Sequence, residues 1–173
     1  SPAHSLANVR KTPEAMVEEV RAVLRLRDEI APGVPVEVGM STAFGCTLQG
    51  LVPEADVLCL ARQLAQAGAD ILTVPAAFNH ITGAAHWETL LRARAIETGC
   101  FVLAPAQTGF HAERSGKGRR THGHSLAIAP WGEVLADAGQ QPGITLVDLD
   151  LSQVAAARAR VPSLTHDREF DLP

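Results

Sequence analysis

The chain has 173 residues, 46% of them apolar and 20% charged, with a formal net charge of −4 from 15 basic and 19 acidic side chains. These proportions exclude a disordered, collagen-like or disulfide-stapled chain and suit one domain or two small ones. The acidic balance gives no general field for nucleic acid or an anionic membrane, and no apolar run approaches the ~20 residues of a membrane-spanning helix.

Ser1-Pro2-Ala3-His4 shows neither the basic nor the apolar region of a secretory leader, so a soluble, cytoplasmic chain is expected. In the next stretch, Thr12 can cap a helix, Pro13 suits its first position and Glu14 complements the positive end of the helix dipole. Met16, Val17, Val20, Val23 and Leu24 follow helical spacing, with Arg27 breaking the stripe, and Pro32-Gly33 stops the element. Val34 to Met40 reads as a strand, and its exit, Ser41 to Cys46, is a loop of small residues where α/β proteins place binding groups. Pro53-Glu54 opens a second helix with Val57, Leu58, Ala61, Leu64 and Ala65 on one face, ended by Gly68. Ile71 to Val74 is a short apolar strand of the kind covered on both faces.

A third helix is expected over about 83–97, with Gly99 as a left-handed cap before a strand over 100–104. Beyond it the pattern changes. Strands over 121–129, 133–136 and 144–148 are separated by the turn signals Pro130-Trp131-Gly132 and Gln141-Pro142-Gly143, which suits antiparallel pairing. A short helix over 151–160 ends at Val161-Pro162. No internal repeat or low-complexity tract interrupts the chain.

Cys46, Cys59 and Cys100 are far apart and form no CxxC pair, so they read as buried free thiols rather than a zinc or redox site. Cys59 lies mid-helix in Val57-Leu58-Cys59-Leu60, where a core role is expected, because an attacking thiol needs exposure and a lowered pKa. His122-Gly123-His124 falls in an expected strand, where period 2 puts both imidazoles on one face at metal-ligand spacing. No carboxylate in the same string supplies a third ligand, so no metal is assigned. Arg114, Lys117, Arg119 and Arg120 form a basic run without interleaved aromatics and read as a solvated hairpin loop, not a nucleic-acid site.

Two resemblances emerge from particular strings. Ser5-Leu6-Ala7-Asn8-Val9-Arg10, the helix after it and Val38-Gly39-Met40-Ser41-Thr42-Ala43-Phe44-Gly45-Cys46 resemble part of a hydroxymethylglutaryl-CoA lyase. This implies a fragment of a metal-dependent TIM barrel over residues 1–69, with Asn8, Ser41 and Thr42 near the barrel mouth. Ala69 to Phe78, Thr82-Gly83, His86-Trp87-Glu88, Arg92 to Glu97, Cys100 to Ala104, Gly123-His124-Ser125, Pro130 to Val134 and Pro162-Ser163-Leu164 resemble the C-terminal half of a nitrilase-type carbon–nitrogen hydrolase. This implies, over residues 70–173, half of an α-β-β-α sandwich that hydrolyses amides or nitriles and commonly dimerises. The expected fold class is therefore α/β, with βα units from a TIM-barrel fragment joined to a nitrilase-like half.

The hydrolase family uses a Cys nucleophile, a Glu base and a Lys. The positions expected to carry them are replaced by lyase-like sequence, so no catalytic residue and no cofactor is assigned and the chain is expected to be catalytically incomplete. The resemblances imply substrate contacts at Ser41, Thr42, Phe78 and Trp87, although Trp87 also fits, with Leu90, Leu91 and Ala95, the apolar stripe of a packed helix. Expected partners are a small amide and either a second copy or a complementing chain, since half-sheets leave strand edges to be covered, with the stretch 162–170 as a pairing arm. A lyase remnant and a non-catalytic interaction protein are the competing functions.

Overall fold

A computed structural model describes residues 1–43, 46, 48–112 and 118–165. Two helices open it: α1 (Pro2–Val9), absent from the sequence expectation, and α2 (Pro13–Ile30). The Thr12 hydroxyl accepts from the Ala15 amide at 3.2 Å, as the capping pattern requires. Then come β1 (Glu37–Gly39), α3 (Glu54–Gln66), β2 (Ile71–Thr73), α4 (His80–Thr98) and β3 (Phe101–Ala104). The remainder is β4 (Thr108–His111), β5 (Arg119–His122), β6 (Leu126–Ile128), β7 (Val134–Asp137) and α5 (Ser152–Arg160).

Five strands form one sheet in the order β1-β2-β3-β6-β7. The first three are parallel and the last two pair antiparallel, so the change of grammar read in the sequence falls at β3. The strand from the lyase-like stretch is thus an edge strand of the same sheet as the hydrolase-like strands. Among the described residues the sheet is open, with β1 and β7 at its edges, and does not close as a barrel.

Alternation along the strands divides the core. Leu72, Val102, Ala104, Leu126 and Ile128 pack with Val57, Ala61, Leu64, Trp87, Leu91 and Ala95 of α3 and α4. Ile71, Phe101 and Ala129 form a second cluster with Val154 of α5. Arg158 of α5 fixes the helix: its guanidinium donates to the Ala69 carbonyl at 2.7 Å and to the Thr98 carbonyl at 3.2 Å. The last of these carbonyls belongs to the C-terminus of α4, where a cation also meets the negative end of the helix dipole. Gly99, the expected cap, is left-handed at φ 59°.

Three expectations are corrected. The strand expected over 121–129 breaks between β5 and β6, because Gly123 and His124 both take positive φ, 75° and 56°. His122 and His124 therefore do not alternate on one strand. The stretch 144–148 joins no ladder, and Ile144 and Leu146 are 92% and 91% exposed. Cys59 is exposed rather than core, since the buried face of α3 runs through Val57, Ala61, Leu64 and Ala65, while Cys46 and Cys100 are buried. Of the basic run, Arg119 and Arg120 sit in β5; Arg114 and Lys117 lie outside the described residues, as does the part of the tail from 166 onward.

Candidate functional site

Parallel strands place their carboxyl ends on one side, which is where open α/β sheets position ligands. Here three loops leave that side: Met40 to Ala43 after β1, Val74 to Phe78 after β2, and Pro105 to Gln107 after β3. Backbone hydrogen bonds continue the ladder beyond the strands. The Val74 amide donates to the Leu103 carbonyl at 2.9 Å, Ala76 to Pro105 at 2.9 Å, and Gln107 back to Ala76 at 2.9 Å. Ser125 ties the start of β6 to the same loop by accepting from the Ala106 amide at 2.9 Å.

Between these loops lies an open groove of about 530 Å³ lined by Pro75, Ala76, Ala77, Pro105, Ala106, Gln107 and Ser125. Its lining offers small apolar surface, one hydroxyl and one carboxamide, which can donate and accept towards an amide. Among the described residues, its lining has no thiol, carboxylate, imidazole or cationic side chain. The hydroxyl and the carboxamide can bind and orient an amide.

The hairpin of β4 and β5 docks beside it. His122 donates its backbone N–H to the Phe78 carbonyl at 3.0 Å, and Gly123 donates to Gln107 at 3.1 Å. Phe78 and Trp87 stand together, ring centroids 5.3 Å apart and planes tilted by 42°. Trp87 is 1% exposed and its indole N–H donates to the His124 carbonyl at 2.7 Å. The structure thus places Trp87 in the core beneath the hairpin, as the helix-stripe reading expects, and Phe78 half-buried above it. Ser41 and Thr42 are on a different loop; Thr42 is left-handed at φ 57° and its hydroxyl accepts from the backbone nitrogen of Ser1 at 2.8 Å. The four expected contact residues are therefore two separate pairs.

Sequence reasoning missed a cluster that the fold assembles around His122. Its ring stacks on His124 with centroids 4.6 Å apart, and His80, at the start of α4, lies 6.2 Å away on the other side. Asp137 at the end of β7 meets the His124 ring nitrogen at 2.9 Å. Burial first, and then the neighbouring His124 and His80, push the His122 imidazole below its ordinary pKa. For Asp137, burial opposes ionisation, but hydrogen bonds from His124 and the Gly139 amide outweigh it and hold the carboxyl low. The His122-x-His124 spacing signalled half of this cluster; nothing local in sequence ties His80 or Asp137 to it. Among the described residues no three His, Cys, Asp or Glu side chains are arranged to hold a metal ion.

Cys46 follows β1 and precedes α3. It is 7% exposed. A hydrogen bond from the Ser1 hydroxyl, assisted by the Leu48 and Gln49 amides, lowers its thiol pKa despite some burial, and no side-chain base contributes. Cys100 is pushed up, chiefly by burial.

Residues 56–159, more than half of the chain, match the family model for carbon-nitrogen hydrolases. The chain belongs to the carbon–nitrogen hydrolase family. Among its relatives, a deaminated glutathione amidase from Synechocystis sp. is 51% identical over 107 residues, covering 62% of this chain and 38% of that protein. The deaminated glutathione amidase of Bos taurus is 40% identical over 164 residues, covering 94% of this chain and 49% of its own. The amidase likeness is therefore not confined to residues 70–173, and the hydrolase model itself takes in most of α3. The crystal structure of Saccharomyces cerevisiae Nit3, a member of branch 10 of the nitrilase superfamily, superposes with a TM-score of 0.57 at 32% identity, covering 65% of this chain and 40% of that one. The carbon–nitrogen hydrolase sequence here spans less than half the length of these relatives. No helix among the described residues is long and apolar enough to cross a membrane.

Proposed function

We propose that this chain is the amide-binding half of a hydrolase resembling deaminated glutathione amidase, and that by itself it binds its substrate without appreciable turnover. The observation that carries this reading is the groove at the carboxyl ends of β2 and β3, which has hydrogen-bonding groups suited to an amide and, among the described residues, no charged or titratable side chain to deliver or accept a proton. Thiol-based amide hydrolysis requires a base to take the thiol proton and a donor to return one to the leaving amine. Cys46 is the thiol with a lowered pKa, yet hydroxyl and backbone donors lower it rather than a Glu, His or Lys side chain.

The test is to add deaminated glutathione to the isotope-labelled chain and follow both its amide signals and the release of product. Saturable shifts at Ala76, Gln107 and Ser125, with product release no faster than from the Cys46→Ala variant, are expected. Turnover that disappears on changing any one of the three cysteines to Ala would overturn the incompleteness. An absence of saturable shifts would overturn the groove.

A second reading treats residues 1–69 as a hydroxymethylglutaryl-CoA lyase-like segment, with Ser41 and Thr42 as contacts. The string Val38 to Cys46, leaving the carboxyl end of a parallel strand, favours it. That reading requires binding of an acyl-CoA thioester, which the hydrolase reading does not.

A further inference from the structure

The hairpin of β4 and β5 meets the rest of the molecule among a group of imidazoles, and at that same end it touches two of the groove loops. We propose that it is an acid-released latch: with His122 neutral the hairpin stays docked on α4 and braces the groove loops, and protonation of His122 undocks it. The latch requires only the hairpin contacts and is independent of amide hydrolysis at the groove.

Consecutive residues make the brace. Thr121 bridges Asn79, which caps α4, while His122 donates its backbone N–H to the Phe78 carbonyl at 3.0 Å and Gly123 donates to the Gln107 carbonyl at 3.1 Å. The His122 side chain meets α4 at Gly83, where a Cβ would lie 2.4 Å from its own, so the docked ring has little room to turn towards water. Nδ1 of His122 and Nδ1 of His80 are both buried without a hydrogen-bond partner. In an imidazolium both nitrogens are donors. A docked, protonated His122 therefore holds a buried N–H with no acceptor, a cost that undocking removes.

The surrounding charges act in the same direction. From α4, His80 faces the ring with centroids 6.2 Å apart, and from the turn after β5 His124 stacks on it at 4.6 Å. Asp137 of β7 is the facing anion among the described residues, and His124 already engages it at 2.9 Å. Within the hairpin, His111 of β4 is turned to the Thr121 hydroxyl at 2.7 Å, and Arg119 and Arg120 are exposed. The groove loops over 74–78 and 105–107 contain no titratable residue. Burial and the two neighbouring imidazoles outweigh Asp137 and hold the docked His122 below its ordinary pKa of 6.5. Undocked and solvated, His122 returns to that ordinary value. Docking is therefore favoured in full above pH 6.5 and weakens as the pH falls towards the lowered docked value.

Native-state hydrogen exchange of the intact chain between pH 7.5 and 5.5, corrected for the intrinsic effect of pH on exchange, tests the latch. The reference amides are Val74 and Phe101, which bond within the parallel part of the sheet. The amides of His122 and Gly123 are expected to be less protected than these at every pH, because the hairpin opens without the sheet. Their protection is expected to fall by up to about tenfold by pH 5.5, the limit for one imidazole with an undocked pKa of 6.5. In His122→Gln the fall at Gly123 is expected to disappear. Protection at His122 and Gly123 equal to that of Val74 and Phe101 throughout overturns a local latch. Protection that is lower but constant with pH overturns its release by acid, and neither result needs a variant. A fall at Gly123 that persists in His122→Gln overturns the role given to His122.

Discussion

At the scale of single residues, His122 is the group with the clearest solution consequence. Its ring lies between two other imidazoles, with Asp137 beyond His124 as the opposing charge, and its Nδ1 is buried without a hydrogen-bond partner. The folded state therefore holds it neutral more strongly than the unfolded chain does, where its pKa is near 6.5. Because the unfolded state binds the proton more readily, the stability that depends on neutral His122 is complete above pH 6.5. It is lost as the pH falls from there through the lowered folded value. Asp137 acts at lower pH: its contribution is present above its ordinary value of 3.8 and disappears as acid protonates it. Melting temperatures measured between pH 8 and 5 should fall with acidification, and His122→Gln should flatten that fall. An equally steep fall in the variant would assign the slope to other groups. The His-x-His pair was visible in sequence. The positive φ of His124, which turns the pair into a stack instead of two neighbours on one strand face, was not, because a left-handed non-glycine residue is imposed by the packing around it.

At the scale of elements, helices and parallel strands were largely legible, since caps, apolar periodicity and short buried runs are local signals. Thr12-Pro13-Glu14 and Gly99 behave as local chemistry dictates. What failed was long-range: whether 144–148 finds a partner strand, and where 121–129 breaks to let β5 turn away from β6. The close approach of α4 to β5 shows why. A Cβ on Gly83 would lie 2.4 Å from the Cβ of His122, so the helix can seat the hairpin only with glycine at that position. Gly83→Ala forces the two elements apart and should cost about 1–3 kcal/mol in denaturant unfolding, although alanine is the better helix former. A stabilised variant would show that the helix and hairpin do not meet this closely in solution. Of the candidate site, Gln107 carried no sequence signal and Ser125 stood only within the hydrolase-like string, because the two are brought together only when β3 and β6 pair; Phe78, expected as a contact, is not among the residues that line the groove.

At the scale of the whole molecule, two family resemblances led to an expectation of two halves, and the sheet joins them. β1 pairs with β2 in register from Glu37 opposite Ile71 to Gly39 opposite Thr73, and α2, α3 and α4 share one core. Such a chain should unfold in one cooperative transition, with circular dichroism in the far and near ultraviolet giving coincident curves. Two separated transitions would mean that the first 69 residues fold apart from the rest. Less than half the length of the amidase relatives is nevertheless enough to build a five-stranded sheet covered on both faces, which places the assembly of the groove in this part of the fold. The buried indole has one more consequence. The sequence contains two Trp and no Tyr. One Trp is enclosed at 1% exposure and the other is 44% exposed beneath the Arg160 guanidinium, 4.2 Å from the ring centroid. The protein thus carries its own pair of fluorophores: Trp87 emits from a dry site beneath the groove-side hairpin, and Trp131 from a quencher-accessible turn at the far edge of the sheet.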